Sequence, residues 1–177
     1  GVIGTVGAHF AGRHLPTGAT TPEAPELQNF LKQMVEAGMT AAALEVSSHA
    51  LEWRRVDGMR FDVAIFTNLT QDHLDFHGSM DRYLAAKSRL FRMPGKTDRK
   101  AVAILNSDDP ASEYFRPMIP DYRTIRTYGL DHPADVTAKD IQLEPDRNRF
   151  VLRCQEGEFL TSVPIPGRHN ILNALAA

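Results

Sequence analysis

The chain has 177 residues, 42% of them hydrophobic, with 20 lysines and arginines against 22 aspartates and glutamates for a net charge of −2. That length and apolar content suit one domain, or most of one, with a sizeable core. A charge so near zero excludes a polyanion-binding protein, which needs a basic excess to displace counterions.

The single cysteine, Cys154, excludes a disulfide framework and a four-thiolate zinc site. No apolar run reaches the ~18 residues of a membrane span. The opening Gly-Val-Ile-Gly-Thr-Val-Gly has neither the basic start nor the apolar stretch of a signal peptide. A cytoplasmic, mixed globular protein is the expectation.

Val2–Val6 reads as a strand, and a turn-rich stretch runs on to Thr20. Thr21-Pro22-Glu23 reads as an N-cap with proline at the first helical position. Leu27, Phe30, Leu31, Met34 and Val35 then recur at helical spacing until Gly38 supplies the stop. Ala41–Val46 is apolar apart from Glu45, as in a strand covered on both faces, and a helical turn starts at Ser47-Ser48. Asp62–Phe66 repeats the pattern and leads to Thr67-Asn68. A strong helix follows over Ser79–Met93, and Ala101–Leu105 is a third apolar run ending in Asn106-Ser107-Asp108-Asp109-Pro110. Strands alternating with helices predict βαβ units and a parallel sheet.

The last third changes character. Arg123–Tyr128, Asp135–Leu143, Phe150–Gln155 and Phe159–Val163 read as strands with almost no helix between them, and Pro145-Asp146-Arg147-Asn148 as a hairpin turn. The fold class expected is α/β, a mostly parallel sheet flanked by helices with a smaller antiparallel β appendage. The α/β part spans 1–121, the antiparallel part 122–165, and a helix returning to the core starts at 166. Residue 1 falls inside a strand and the final helix stops in mid-pattern, so the sequence reads as truncated at both ends.

In open α/β sheets, ligands bind beyond the carboxyl ends of the strands. Glu45-Val46-Ser47-Ser48-His49, Thr67-Asn68 with Asp72-His73, and Asn106 to Asp109 all fall at such ends. Lys87 is the most informative position. On its helix Met80, Tyr83, Leu84, Leu90 and Phe91 lie within about 60° of it. A lysine in a buried stripe either snorkels or pairs, with Asp72 or Asp75 at hand, or has a lowered pKa and a reactive amine.

Asp72-His73-Leu74-Asp75-Phe76-His77 is either a metal cluster or a segment in which Asp75 or His77 caps the next helix. Glu45, in an apolar run, needs a partner such as Arg55, or a metal. Ser47-Ser48-His49 makes no triad, the Gly-x-Ser-x-Gly elbow is absent, and the opening glycines form no phosphate loop.

Five segments, in order, resemble the central, ATP-binding domain of the Mur ligases, which has a P-loop-NTPase-like fold. They are Thr20-Thr21-Pro22-Glu23, Glu45-Val46-Ser47-Ser48-His49-Ala50-Leu51, Thr67 through His77, Ala85-Ala86-Lys87, and Gly167 through Ala177. The first two are most similar to the tripeptide-forming type, which extends UDP-N-acetylmuramoyl-L-alanyl-D-glutamate with meso-diaminopimelate or L-lysine in peptidoglycan precursor synthesis.

The resemblance implies an ATP- and Mg²⁺-dependent ligase working through an acyl phosphate, serving cell wall biogenesis and with it cell shape and division. Lys87 would carry a carbamate and, with Glu45 and His73, form the catalytic and Mg²⁺-holding group. Thr20, Thr21, Ser47 and Arg55 would hold the UDP-N-acetylmuramoyl-dipeptide, and Asn170 and Asn173 would lie near the adenine of ATP. Trp53 stands where some relatives have glutamine.

The same resemblance implies partner N- and C-terminal domains in the same chain and a Gly-Lys-Thr loop about 25 to 30 residues before Gly1. These 177 residues alone are therefore expected to be inactive. The readings weighed against it are another Mur-like ligase (D-glutamate- or dipeptide-adding, or folylpolyglutamate synthetase-like), a metal-dependent hydrolase built on the His73–His77 cluster, and a non-catalytic binding domain.

Overall fold

A computed structural model describes residues 1–69, 74–93, 95, 101–121 and 123–177. In chain order the elements are β1 (Val2–Gly4), β2 (Gly7–Phe10), β3 (Arg13–Leu15), α1 (Ala24–Glu36), β4 (Ala43–Leu44), α2 (Ser48–Glu52), β5 (Val63–Phe66), α3 (Leu74–His77), α4 (Met80–Arg92), β6 (Ala101–Asn106), α5 (Ala111–Phe115), β7 (Arg123–Tyr128), β8 (Thr137–Leu143), β9 (Asn148–Cys154), β10 (Gly157–Val163) and α6 (Arg168–Ala176). The chain divides into two units, Gly1–Met59 with Leu74–Leu90, and Arg60–His73 with Phe91–Ala177.

In the first unit the strand order is β3-β2-β1-β4. The stretch expected to be turns is largely two extra strands, because Gly4 and Gly7 close a tight hairpin around Thr5-Val6. Gly7 has φ +110°, and a Cβ there would lie 2.7 Å from the Leu15 carbonyl, so the turn requires glycine. β4 pairs with β1 in parallel across α1, as the alternating pattern predicts.

α1 begins at Ala24 rather than beside Thr21, with Glu23 at the N-cap position and no side-chain cap. Thr21 cannot cap it, because its hydroxyl is committed to the strand opposite. Leu27, Phe30 and Met34 are buried while Val35 is 72% exposed. At the C-terminus Gly38, φ +80°, donates to Val35 O and Met39 N donates to Met34 O, the paired bonds of a Schellman ending.

β4 is shorter and barer than expected: Ala43 and Glu45 are exposed and Leu44 half-buried, since among the described residues β4 ends its sheet and pairs only with β1. α4 is capped by Ser79, whose Oγ accepts from Arg82 N at 3.3 Å, and not by Asp75 or His77.

In the second unit β5, β6 and β7 form a parallel sheet. Arg123–Tyr128, expected to open the antiparallel part, instead adds a parallel strand to β6 over six residue pairs. Burial explains this. Arg123 and Tyr128 point inward, the guanidinium donating to the carbonyls of Val102, Phe61 and Met93, and the phenol to Phe66 O at 3.1 Å.

α5 was not foreseen. Its Phe115 is fully buried against Phe66 and Phe91, with ring centroids 4.7 and 5.4 Å away. The antiparallel sheet is β10-β9-β8, with the foreseen hairpin turn closed by Glu144 N donating to Arg147 O. α6 packs on it through Ile171, Leu175 and Ala176, together with Tyr128 and Phe150.

Candidate functional site

The first unit gathers five of the residues that the sequence singled out. Thr21, wholly buried, donates its hydroxyl proton to Glu45 O at 2.8 Å and accepts from Ser47 N at 3.0 Å. One side chain thus ties the approach to α1 to the strand end β4. Ser47, held there, caps α2 by accepting from Ala50 N at 3.1 Å.

Arg55 extends from beyond α2 to donate to Thr21 O at 2.8 Å, pairs with Glu23, and lies 4.8 Å from the Trp53 ring centroid. Its side chain is only 11% exposed, and the buried Nε has no hydrogen-bond partner among the described residues. Arg55 therefore pairs with Glu23, and the partner expected for it, Glu45, is engaged elsewhere.

Glu45 meets the β1–β2 turn. Its Oε2 accepts from Thr5 N at 2.9 Å and from Thr5 Oγ1 at 2.8 Å, and the Thr5 hydroxyl stands 3.1 Å from that of Thr20. Gly4 makes room for the carboxylate: a Cβ there would lie 2.6 Å from Glu45 Cδ and 2.9 Å from Oε1. Thr5 and Glu23 are the residues sequence reasoning missed. The usable signal for Thr5 was its position between two glycines, which forces a tight turn beside a strand end.

Glu45 is an exposed oxygen donor with one oxygen fastened, a suitable contribution to Mg²⁺, which keeps several waters and takes one or two carboxylates plus phosphate oxygens. Among the described residues no group of three or more His, Cys, Asp or Glu could hold a metal. His73 and Asp72 lie outside the described residues. The His73–His77 hydrolase cluster therefore has only Asp75 and His77 in view, and His77 is buried with Nε2 2.9 Å from Ser48 Oγ.

Lys87 is half-buried in the middle of the face that buries Tyr83, Ala86 and Phe91, as the helical spacing predicts. Its ammonium stands 5.1 Å from the Tyr83 ring centroid, and His77 stacks on that same ring at 5.0 Å. Arg89 donates to Leu51 O and pairs with Glu52, anchoring the end of α2.

In the second unit the loops after the parallel strands are knitted by the Asn106–Asp109 run. Asn106 donates to Thr67 O at 2.7 Å, and Asp109 accepts from Leu69 N at 2.7 Å and Ala111 N at 2.9 Å. Asp108 accepts from the backbone N–H groups of Leu130, Asp131 and His132 at 2.6, 2.9 and 2.8 Å. Burial works against its ionisation, but these donors outweigh it and hold the carboxyl below the usual value. Burial, with Asp109 and Asp108 adding to it, pushes the Tyr128 phenol up to about 12.

Asn170 donates to Pro166 O at 2.7 Å in the first turn of α6, and Asn173 is exposed one turn on. Open pockets of 310 Å³ beside His77 and Arg89, and of 780 Å³ beside Arg126 and Asp135, are lined by none of the residues that the resemblance assigned.

Comparison with known proteins agrees with the resemblance. The Mur ligase middle domain matches residues 1–177. The UDP-N-acetylmuramoyl-L-alanyl-D-glutamate–2,6-diaminopimelate ligase of Geobacillus thermodenitrificans strain NG80-2 is 44% identical over 180 residues, covering 100% of this chain and 36% of that protein. The ligase of the same name from Solibacter usitatus strain Ellin6076 is 43% identical over 177 residues, covering 99% and 35%.

A solved structure of a UDP-N-acetylmuramoyl-L-alanyl-D-glutamate–2,6-diaminopimelate ligase superposes with a TM-score of 0.83 at 34% identity, over 99% of this chain and 36% of that one. A MurF structure from Acinetobacter baumannii, at 23% identity, shares the fold with a TM-score of 0.69 over 85% and 33%. The chain thus spans about a third of the length of the curated relatives it matches. On a match that runs from its first residue to its last, the chain belongs to the Mur ligase middle-domain family.

Proposed function

We propose that these residues are the central part of an ATP- and Mg²⁺-dependent ligase that joins meso-diaminopimelate to UDP-N-acetylmuramoyl-L-alanyl-D-glutamate, in the cytoplasmic synthesis of peptidoglycan precursors. The observation that carries this reading is the hydrogen-bonded cradle of Thr20, Thr21, Glu45, Ser47 and Arg55, drawn from three separate segments of a chain whose relatives are named for that reaction.

In this reading ATP phosphorylates the D-glutamyl γ-carboxylate. The amine of diaminopimelate then attacks the acyl phosphate and expels phosphate through a tetrahedral intermediate. Such chemistry depends on positioning and charge neutralisation. Thr20 and Ser47 align the muramoyl-dipeptide, Thr21, buried, holds Ser47 in place for it, and the Arg55 guanidinium, fixed by Thr21 O, Glu23 and Trp53, lends positive charge to its carboxylates.

Glu45, His73 and Lys87 would hold Mg²⁺, which when bound neutralises phosphate charge. Lys87 would join that set by taking up carbon dioxide on its neutral amine, releasing a proton and gaining carboxylate-like oxygens. Asn170 and Asn173 would lie toward the adenine. The flanking N- and C-terminal domains of the full chain would grip the uridine end and select the amino acid.

The test is amide formation by the full chain that carries these residues, with ATP, Mg²⁺, the UDP-muramoyl-dipeptide and either meso-diaminopimelate or L-lysine. Tripeptide product should accumulate with diaminopimelate, one phosphate released per amide, and Glu45→Gln should lower kcat by about two orders of magnitude. Phosphate release without any amide product, or product with L-lysine alone, would count against the reading.

A further inference from the structure

We infer that Thr5, in the β1–β2 turn, is a positioning residue that fixes both the Glu45 carboxylate and the hydrogen-bonding polarity of the substrate cradle. This rests on the ligase reading above and goes beyond it by naming a residue and the ligand chemistry it imposes.

The argument is a count of protons. An ionised carboxylate only accepts, so Thr5 N–H and Thr5 Oγ1–H both donate to Glu45 Oε2, at 2.9 and 2.8 Å. A hydroxyl has one proton, and Thr5 has now given its own. The 3.1 Å contact between Thr5 Oγ1 and Thr20 Oγ1 must then run with Thr20 donating. Thr20 is left with acceptor capacity alone.

The neighbouring groups have the opposite sense. The Thr21 proton goes to Glu45 O and Ser47 Oγ accepts from Ala50 N; Thr21 Oγ1 stands 3.5 Å from Ser47 Oγ, at the outer limit of a hydrogen bond, so the Ser47 proton is the one left for donation to a ligand. The cradle therefore offers an acceptor at Thr20 and a donor at Ser47. That polarity suits an amide or hydroxyl edge of the substrate, with its N–H or O–H on Thr20 and a carbonyl or carboxylate oxygen on Ser47. A phosphate oxygen at Thr20 would find no proton.

Thr5 itself is held in place. Val6 O, the next carbonyl, accepts from His14 Nε2 at 2.8 Å and His9 Nε2 at 3.3 Å, the two rings stacked at 4.2 Å. With Oε2 fastened by Thr5 and the backbone of Gly4 lying bare beneath the carboxylate, Oε1 is the oxygen left for a cation.

The experiment compares wild type with Thr5→Val and Thr5→Ser in the full chain. It reads Mn²⁺ binding from the free-ion EPR signal without substrates, and kcat and the KM for the UDP-muramoyl-dipeptide with them. Thr5→Val, which keeps the shape and loses the hydroxyl, should weaken Mn²⁺ binding and raise KM, each by about tenfold. Thr5→Ser should restore both to within about twofold.

The inference is overturned if Thr5→Val matches wild type, if Thr5→Ser is as impaired as Thr5→Val (which would assign the effect to the methyl group), or if wild type binds no Mn²⁺. Should wild type show this dependence in Mn²⁺ binding yet form no amide, the positioning role stands and the ligase reading fails.

Discussion

Replacing Thr21 with valine tests whether the cradle is held by the hydroxyl or by packing alone. The side chain has no solvent exposure, and valine fills nearly the same space, so packing is conserved. What disappears is one oxygen serving two backbone groups, Glu45 O at 2.8 Å and Ser47 N at 3.0 Å. Each stranded group costs about 1–3 kcal/mol where it is buried. Their setting here is part-buried, so the lower half of that range applies and the sum is about 2–4 kcal/mol.

At about 2–4 °C per kcal/mol for a chain of this size, the melting temperature should fall by about 4–16 °C. Thr21→Ser keeps the hydroxyl and loses one buried methyl, at about 1 kcal/mol. Calorimetric melts of the three proteins at one pH give the comparison. If Thr21→Val melts within about 1 °C of wild type, or Thr21→Ser is the worse of the two, the hydroxyl does not organise this segment and the reasoning fails.

Gly4→Ala would place a methyl 2.6 Å from Glu45 Cδ, and because that carboxylate ends a flexible side chain it should swing aside with little loss of stability. The full chain should then need several-fold more Mg²⁺ for half-maximal activity, while melts stay within about 1 kcal/mol of wild type. Asp108, held below its ordinary 3.8 by three backbone donors that outweigh burial, contributes stability present above pH 3.8 and lost as pH falls through its lowered native value. Asp108→Asn should therefore cost about 2 kcal/mol at neutral pH and flatten the acid limb of a stability–pH curve below 3.8.

Tyr128 runs the other way. Its raised value of about 12 gives stability present below 10 and lost between 10 and 12. Tyr128→Phe should lose about 1 kcal/mol at pH 7 and lose the steep alkaline decline, followed by phenolate absorbance and circular dichroism on the same samples.

How much of this could be read from sequence follows from how local each cause is. The α1 stripe Leu27, Phe30, Met34 and the Gly38 ending are set within a few residues of chain, and both were legible. So were α2 capped by Ser47 and the hairpin after β8. The start of α1 was misplaced because Thr21 looks like a cap locally, whereas its hydroxyl is claimed by Glu45 and Ser47 from about 25 residues away.

β7 was misassigned for a similar reason. A strand carries no mark of its partner's direction, and only the long-range burial of Arg123 and Tyr128 commits it to the parallel sheet. Candidate site residues can be picked out of a sequence where a charged group stands in an apolar run or on an apolar helical stripe, as Glu45 and Lys87 do. Thr5 was not, because threonine is unremarkable in a turn and its importance lies wholly in what it touches.

The same contrast bears on how the site is built. Glu45 is exposed on an edge strand, where a carboxylate has no intrinsic reason to keep one orientation. A charged partner would fix it, but a bound ammonium or guanidinium would also neutralise the charge that the proposed Mg²⁺ would meet. Threonine avoids that conflict. Two neutral donors from Thr5 fasten one oxygen and leave the negative charge on the carboxylate, while Arg55 is held away from Glu45 by Glu23 and Thr21 O. Hydroxyls orient and cations neutralise, so under the proposed ligase reading a cradle that holds a cation beside an anionic substrate is better built from Thr5, Thr20 and Ser47, with Thr21 buried beside Ser47, than from lysines. A Thr5→Lys replacement should make that difference visible, preserving the contact to Glu45 while abolishing Mn²⁺ binding.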